Sequence, residues 1–103
     1  MIESDRFYQM LGLCMRAGQL TLGEDGVRKA IATGKAALIL VDAEASANTK
    51  KRFSDACAFY GASCLETAPG RLGEAVGKPG RMSAAVQAGS MAERLVELAQ
   101  KAP

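Results

Sequence analysis

Apolar positions in this chain fall first at helical spacing, then in short continuous runs, then at helical spacing again, and this alternation lays out its elements. After Ser4, a residue type that accepts backbone N–H groups at a helix start, Phe7, Leu11, Cys14 and Met15 share one face of a first helix that Ala17-Gly18 brings to a stop. A short extended piece over residues 19–22 runs to Gly23, beyond which Val27, Ala30 and Ile31 form the stripe of a second helix ending at Gly34. "AALILV", residues 36–41, is apolar without alternation and predicts a central strand covered on both faces. Ser46 or Asn48 then caps a third helix with a face of Phe53, Ala56, Cys57 and Tyr60 and a stop at Gly61. Residues 63–66 read as a weak strand. Pro69-Gly70 opens a short helix bearing Leu72, Ala75 and Val76 and ending at Gly77. Residues 82–86 make the next strand, and a last helix from about residue 90 to 100 buries Met91 or Ala92 with Leu95, Val96 and Ala99.

Helices alternating with short strands predict an α/β fold, a three-layer α-β-α sandwich around a sheet of about four strands. With 103 residues and neither an internal repeat nor a low-complexity linker, the chain is expected to form one domain over residues 1–103.

Composition narrows the function more by exclusion than by indication. At 49% hydrophobic and 23% charged residues the chain is globular, and no apolar run approaches the roughly 18 residues of a membrane span. Its start, Met1-Ile2-Glu3-Ser4-Asp5, is acidic where a signal peptide is basic, so a cytoplasmic location and no membrane partner are expected. Cys14, Cys57 and Cys64 are odd in number and lack C-x-x-C spacing, so they read as reduced core residues. The absence of histidine, with no clustered cysteines, removes the usual transition-metal sites and histidine-based acid–base chemistry, so no metal, no cofactor and no catalytic residue is expected. Phe7, Tyr8, Phe53, Phe59 and Tyr60 lie on helix faces and read as core, which argues against an aromatic stacking platform. The net charge of +2 is too small to indicate a nucleic-acid partner without its distribution.

Three stretches carry candidate chemistry. In "LTLGEDGVRKAI", residues 20–31, Thr21-Leu22-Gly23-Glu24 fits a capping box, with Glu24 and Asp25 in a first turn where acids suit the helix dipole. The same order of strand, glycine and helix suits phosphate, but adjacent acids repel it and neither G-x-G-x-x-G nor G-x-x-x-x-G-K-S/T is present. A third reading has Glu24, Asp25 and Lys29 offering acceptors and a donor to nucleobases, and spacing alone does not choose between cap and contact. In "NTKKR", Lys50, Lys51 and Arg52 oppose the dipole at a helix start, a cost of a few tenths of a kcal/mol unless something else uses them. For any one of them a solvated face is the commoner explanation; as a cluster they suit phosphates. "GKPGRM", residues 77–82, is a tight turn whose Lys78 and Arg81 suit either solubility or a nucleic-acid backbone.

Arg16-Ala17-Gly18, Gly23-Glu24, Ala45-Ser46 with Asn48-Thr49-Lys50-Lys51, and Leu72-Gly73 with Ala75-Val76-Gly77-Lys78 occur in an order and spacing that closely resembles a bacterial branch of the ribosomal protein L-seven-Ae family, relatives of L-thirty-e. The resemblance runs from about Arg6 to Leu98. It implies a mixed sheet in the α-β-α sandwich and non-catalytic binding of structured RNA, typically a kink-turn with tandem G·A pairs, or ribosomal RNA on the ribosome. In the family the glycine-led start of the second helix enters the groove at those pairs, and the loop after the fourth helix covers a flipped-out nucleotide. Carried onto this chain, the first surface is Gly23, Glu24, Asp25, Gly26 and Lys29. The second is Lys78, Pro79, Gly80, Arg81 and Met82. Lys50, Lys51 and Arg52 would neutralise phosphates. Kink-turn binders carry an Asn-Glu pair where this chain has Asp25-Gly26, and basic residues where it has Thr21 and Leu22. A monomer is expected. The alternative, a protein-interaction module of the same fold, predicts scattered charge beside an exposed apolar patch, whereas RNA binding predicts Lys29, Lys78 and Arg81 on one face.

Overall fold

The computed structural model describes residues 2–100. Along the chain run α1 (Asp5–Arg16), β1 (Leu20–Leu22), α2 (Glu24–Ala32), β2 (Ala36–Asp42), α3 (Ala47–Tyr60), β3 (Ser63–Thr67), α4 (Arg71–Val76), β4 (Ser83–Gln87) and α5 (Ser90–Gln100). The strands form one sheet in the order β1-β4-β2-β3; β2 pairs parallel with β3 and antiparallel with β4, which pairs antiparallel with β1.

β2 lies inside the sheet, and its side chains divide between two cores. Leu38 and Leu40, with Ala84 and Val86 of β4, meet Phe7, Leu11 and Cys14 of α1, Leu72 and Val76 of α4, and Leu95 and Leu98 of α5. Ile39 and Val41, with Ala85, meet Val27 and Ile31 of α2 and Phe53 and Cys57 of α3. This is why the strand reads as unbroken apolar sequence: from Leu38 onward neither face of it meets water. The layers are α1, α4 and α5, then the sheet, then α2 and α3, which is the expected sandwich.

Several local expectations are corrected. α3 takes Ser46, not Asn48, as its cap, through a hydrogen bond from the Thr49 N–H. α5 turns Ala92, Leu95 and Leu98 inward, while Met91, Val96 and Ala99 are only partly buried. Cys64 is exposed, because β3 is the edge of the sheet and leaves it at the margin of the α3 layer beside Cys57; only Cys14 and Cys57 are core thiols. Phe59 and Tyr60 are also outside, 82% and 52% exposed, because α3 runs on past its buried contacts at Phe53 and Cys57 before Gly61 ends it.

Candidate nucleic-acid interface

The two glycine-containing turns singled out in the sequence meet in space. Gly23 opens α2 at φ 91°, a conformation L side chains rarely adopt, and it reverses the chain from β1 into the helix. The expected capping box is not formed. Thr21 is held in β1 opposite Ala85, and Gly23, the residue that actually caps α2, has no side chain to offer its N–H groups. Glu24 turns to cations instead, 3.2 Å from Arg52 Nη2 and 3.9 Å from Arg28 Nη1.

The second turn hangs from α4. Gly77 ends that helix in the left-handed region, the Lys78 N–H donates to the Gly73 carbonyl at 2.9 Å, and the Arg81 N–H donates to the Lys78 carbonyl at 3.2 Å. Proline at the second position and Gly80 at φ 90° at the third make Lys78-Pro79-Gly80-Arg81 a type II turn. Gly73 lets this loop lie against the helix, since a Cβ there would stand 2.9 Å from the Lys78 carbonyl oxygen and 3.0 Å from the Gly80 nitrogen.

The tip of the loop carries the Arg81 guanidinium to 3.9 Å from where a Cβ on Gly23 would be. Between the turns lies a cleft of about 250 Å³ lined by Gly23, Glu24, Ala45, Ser46, Thr49, Gly80, Arg81, Met82 and Ser83. The structure thus unites Gly23 and Glu24 with Gly80, Arg81 and Met82. It adds Ala45, Ser46, Thr49 and Ser83, which sequence reasoning missed as site residues; the hydroxyls of Ser46 and Thr49 bond to each other at 2.9 Å on the rim. The signal for Ser46 and Thr49 is the polar run before Lys50, which reads as a helix cap and as part of the family pattern but not as contact residues.

Lys29 does not line this cleft. It shares a separate groove with Asp25, Arg28, Ala32, Ala56 and Tyr60. The run of three cations on α3 also diverges, as a helix turning about 100° per residue requires. Lys50 pairs with Glu66 at 3.2 Å, Lys51 with Asp55 at 3.1 Å, and only Arg52 approaches the start of α2, through Glu24. Lys29, Lys78 and Arg81 form no ion pair among the described residues. Gly26 has its own constraint: a Cβ there would stand 2.8 Å from Thr21 Cγ2.

One buried carboxylate fixes the frame of the loop. Asp42, fully buried at the end of β2, accepts the Glu44 and Gly70 N–H groups on Oδ1, both at 2.9 Å. Its Oδ2 accepts the Thr67 hydroxyl at 3.0 Å and the Leu72 N–H at 3.1 Å. Burial pushes the carboxyl up, but the four donors outweigh it and hold the group below its ordinary range. Strands β2 and β3 and the first turn of α4 are thereby tied at one point. Among the described residues no three His, Cys, Asp or Glu side chains are placed to hold a metal, and no helix is long and apolar enough to cross a membrane.

The model of the ribosomal protein L7Ae/L30e/S12e/Gadd45 family matches residues 5–96, from α1 into α5. The chain belongs to this family. Among relatives from it, the RNA-binding protein YlxQ of Bacillus subtilis (strain 168) is 34% identical over 93 residues, 89% of this chain and 93% of the relative. RNA-binding protein YlxQ of Enterococcus faecium is 35% identical over 81 residues, 78% of this chain and 79% of the relative. A solved protein of unknown function from Bacillus halodurans superimposes with a TM-score of 0.90 at 30% identity, covering 95% of this chain and all of that one. The 15.5 kD RNA binding protein of Giardia lamblia, at 16% identity, shares the L7Ae-family fold with a TM-score of 0.79 over 97% of this chain and 90% of its own.

Proposed function

We propose that this chain binds structured RNA without catalysis, seating the start of α2 in the groove of a kink-turn or a related ribosomal RNA stem while the loop after α4 covers an extruded nucleotide. The observation that carries the reading is the approach of the Arg81 guanidinium to Gly23 across the cleft, which joins the two turns into one surface. The absence of a side chain at Gly23 admits a nucleic-acid backbone close to the positive end of α2. Of the cations that form no ion pair among the described residues, Arg81 lines the cleft, Lys78 opens the same turn and Lys29 lies further along α2, and these would neutralise phosphates; Arg52 reaches the cleft through Glu24. Asp25-Gly26 supplies neither the amide nor the carboxylate of the family's Asn-Glu pair, so base contact in the cleft rests on Arg81 and the exposed helix start. In this reading the protein works as a monomer in the cytoplasm, on the ribosome or its RNA, and needs no cofactor; YlxQ relatives named for RNA binding support it.

The test is titration of a kink-turn RNA and a plain duplex of equal length across salt concentrations. The kink-turn is expected to bind more tightly by tenfold or more, and Arg81→Ala should lower the salt slope by about one phosphate contact. Equal affinity for both RNAs, or no binding at low salt, refutes the reading.

A further inference from the structure

Phe59 and Tyr60 stand at the solvent end of α3, ring centroids 4.8 Å apart and nearly perpendicular. They take no part in either core, and large exposed aromatics are costly ornaments for a chain with only two tyrosines and three phenylalanines. Tyr60 is also one wall of a groove of about 440 Å³ between α2 and α3, floored by Ala32 and Ala56 and bounded by Asp25, Arg28 and Lys29. The alanines are small, and Tyr60 is half exposed beside them. Of the charged residues there, Arg28 reaches Glu24 only at 3.9 Å, and neither Lys29 nor Asp25 has an ion pair among the described residues, so two cations and one carboxylate border the groove.

We propose that this groove is a second RNA contact, in which an unpaired nucleotide flanking the structured element stacks its base on Tyr60 and sets its phosphate against Lys29 and Arg28. A half-exposed aromatic ring beside an unpaired lysine and a loosely paired arginine is the combination that single-stranded RNA uses, since every base has a π face and every linkage a charge. The groove and the cleft border the same helix, since Glu24 of the cleft and Asp25 of the groove both belong to the first turn of α2. The inference therefore rests on the proposed RNA reading for its strand, while its own contact is separately observable.

The experiment follows ring and amide resonances by NMR during addition of a blunt kink-turn stem, of the same stem with a six-nucleotide single-stranded extension, and of the single strand alone. The Tyr60 and Phe59 rings should shift with the extended stem and with the single strand, and not with the blunt stem; Gly23 and Arg81 amides should report the stem. In parallel, Tyr60→Ala should weaken the extended stem roughly tenfold and leave the blunt stem unchanged, with Tyr60→Phe retaining most of the effect. Rings silent to both single-stranded RNAs overturn the inference, whatever Gly23 and Arg81 do. Silence at Gly23 and Arg81 overturns the stem reading alone. Ring shifts that grow with protein concentration in the absence of RNA assign the groove to a second copy of the chain and also overturn it.

Discussion

Asp42→Asn isolates what the buried carboxylate contributes, because it changes one atom's chemistry at almost constant shape. The amide retains one acceptor oxygen. Placed at Oδ1, that oxygen still receives the Glu44 and Gly70 N–H groups at 2.9 Å, and the amino group then faces Thr67 and Leu72. The Thr67 hydroxyl can turn to accept, but the Leu72 N–H has no such option and is left buried against another donor. An orphaned buried donor costs about 1–3 kcal/mol, and the two retained bonds lose their charge assistance, about 1 kcal/mol each; release from burying a charge offsets part of this. The net loss is about 2–4 kcal/mol, or roughly 10–20 °C in Tm for a domain of this size. Because the folded carboxyl titrates below its ordinary value of 3.8, its stabilisation is fully present above that pH and is lost as pH falls through the folded value. Urea denaturation of the wild type and variant at steps from pH 7 to pH 2.5 should therefore show a wide gap that closes toward acid. A loss below about 1 kcal/mol at pH 7, or a gap that stays constant with pH, refutes the role assigned to Asp42.

Gly73→Ala places a Cβ against loop backbone at 2.9 Å, so the protein should fold with residues 78–82 displaced, seen as amide shifts confined to the loop and a loss of kink-turn affinity; unchanged shifts there would contradict the packing. Alkylation at pH 8 should modify Cys64 in the native protein and spare Cys14 and Cys57, the latter buried with its thiol pushed up to about 12 by burial and then by Cys64 beside it; all three should react in urea, and native labelling of Cys57 at the rate of Cys64 would count against this. Asp25→Asn with Gly26→Glu restores the family's base-reading pair but sets Cβ of residue 26 at 2.8 Å from Thr21 Cγ2, so the increase in kink-turn affinity should be larger when Thr21→Ser removes that methyl. No increase in either background would show that this helix start does not dock RNA in the family manner.

The layered fold was legible because burial writes itself into sequence twice, as the unbroken run of β2 and as the stripes of α1 and α2. α3 misled because its last turn continues the apolar spacing after its contact with the sheet has ended; Phe53 and Cys57 fall inside and Tyr60 outside, although all three share one stripe. The candidate cleft was half legible. Gly23 and "KPGR" mark turns by chemistry that holds in isolation, whereas Ser46, Thr49 and Ser83 join the site through sheet order, which places β4 between β1 and β2 and has no local signature. Asp42 was missed for the same reason, since three of its four donors, Thr67, Gly70 and Leu72, lie 25 to 30 residues further along the chain.

Charge gives the sharpest instance of the difference between adjacency in sequence and availability in space. "KKR" is the densest cationic run in the chain, yet each member faces its own carboxylate on Glu66, Asp55 or Glu24. Such surface pairs are worth about 0–1 kcal/mol, so a phosphate can compete for Lys50 or Lys51 only by displacing an acid already in place. Lys78 and Arg81 occur singly in the sequence, but a turn pinned to α4 holds them forward, and no acid among the described residues neutralises them. With a net charge of only +2, attraction for a polyanion depends on where unneutralised cations stand and not on how many the chain contains. By that criterion the loop after α4, with Lys78 and Arg81 unpaired among the described residues and Arg81 lining the cleft, offers a polyanion more than the longer run on α3 does.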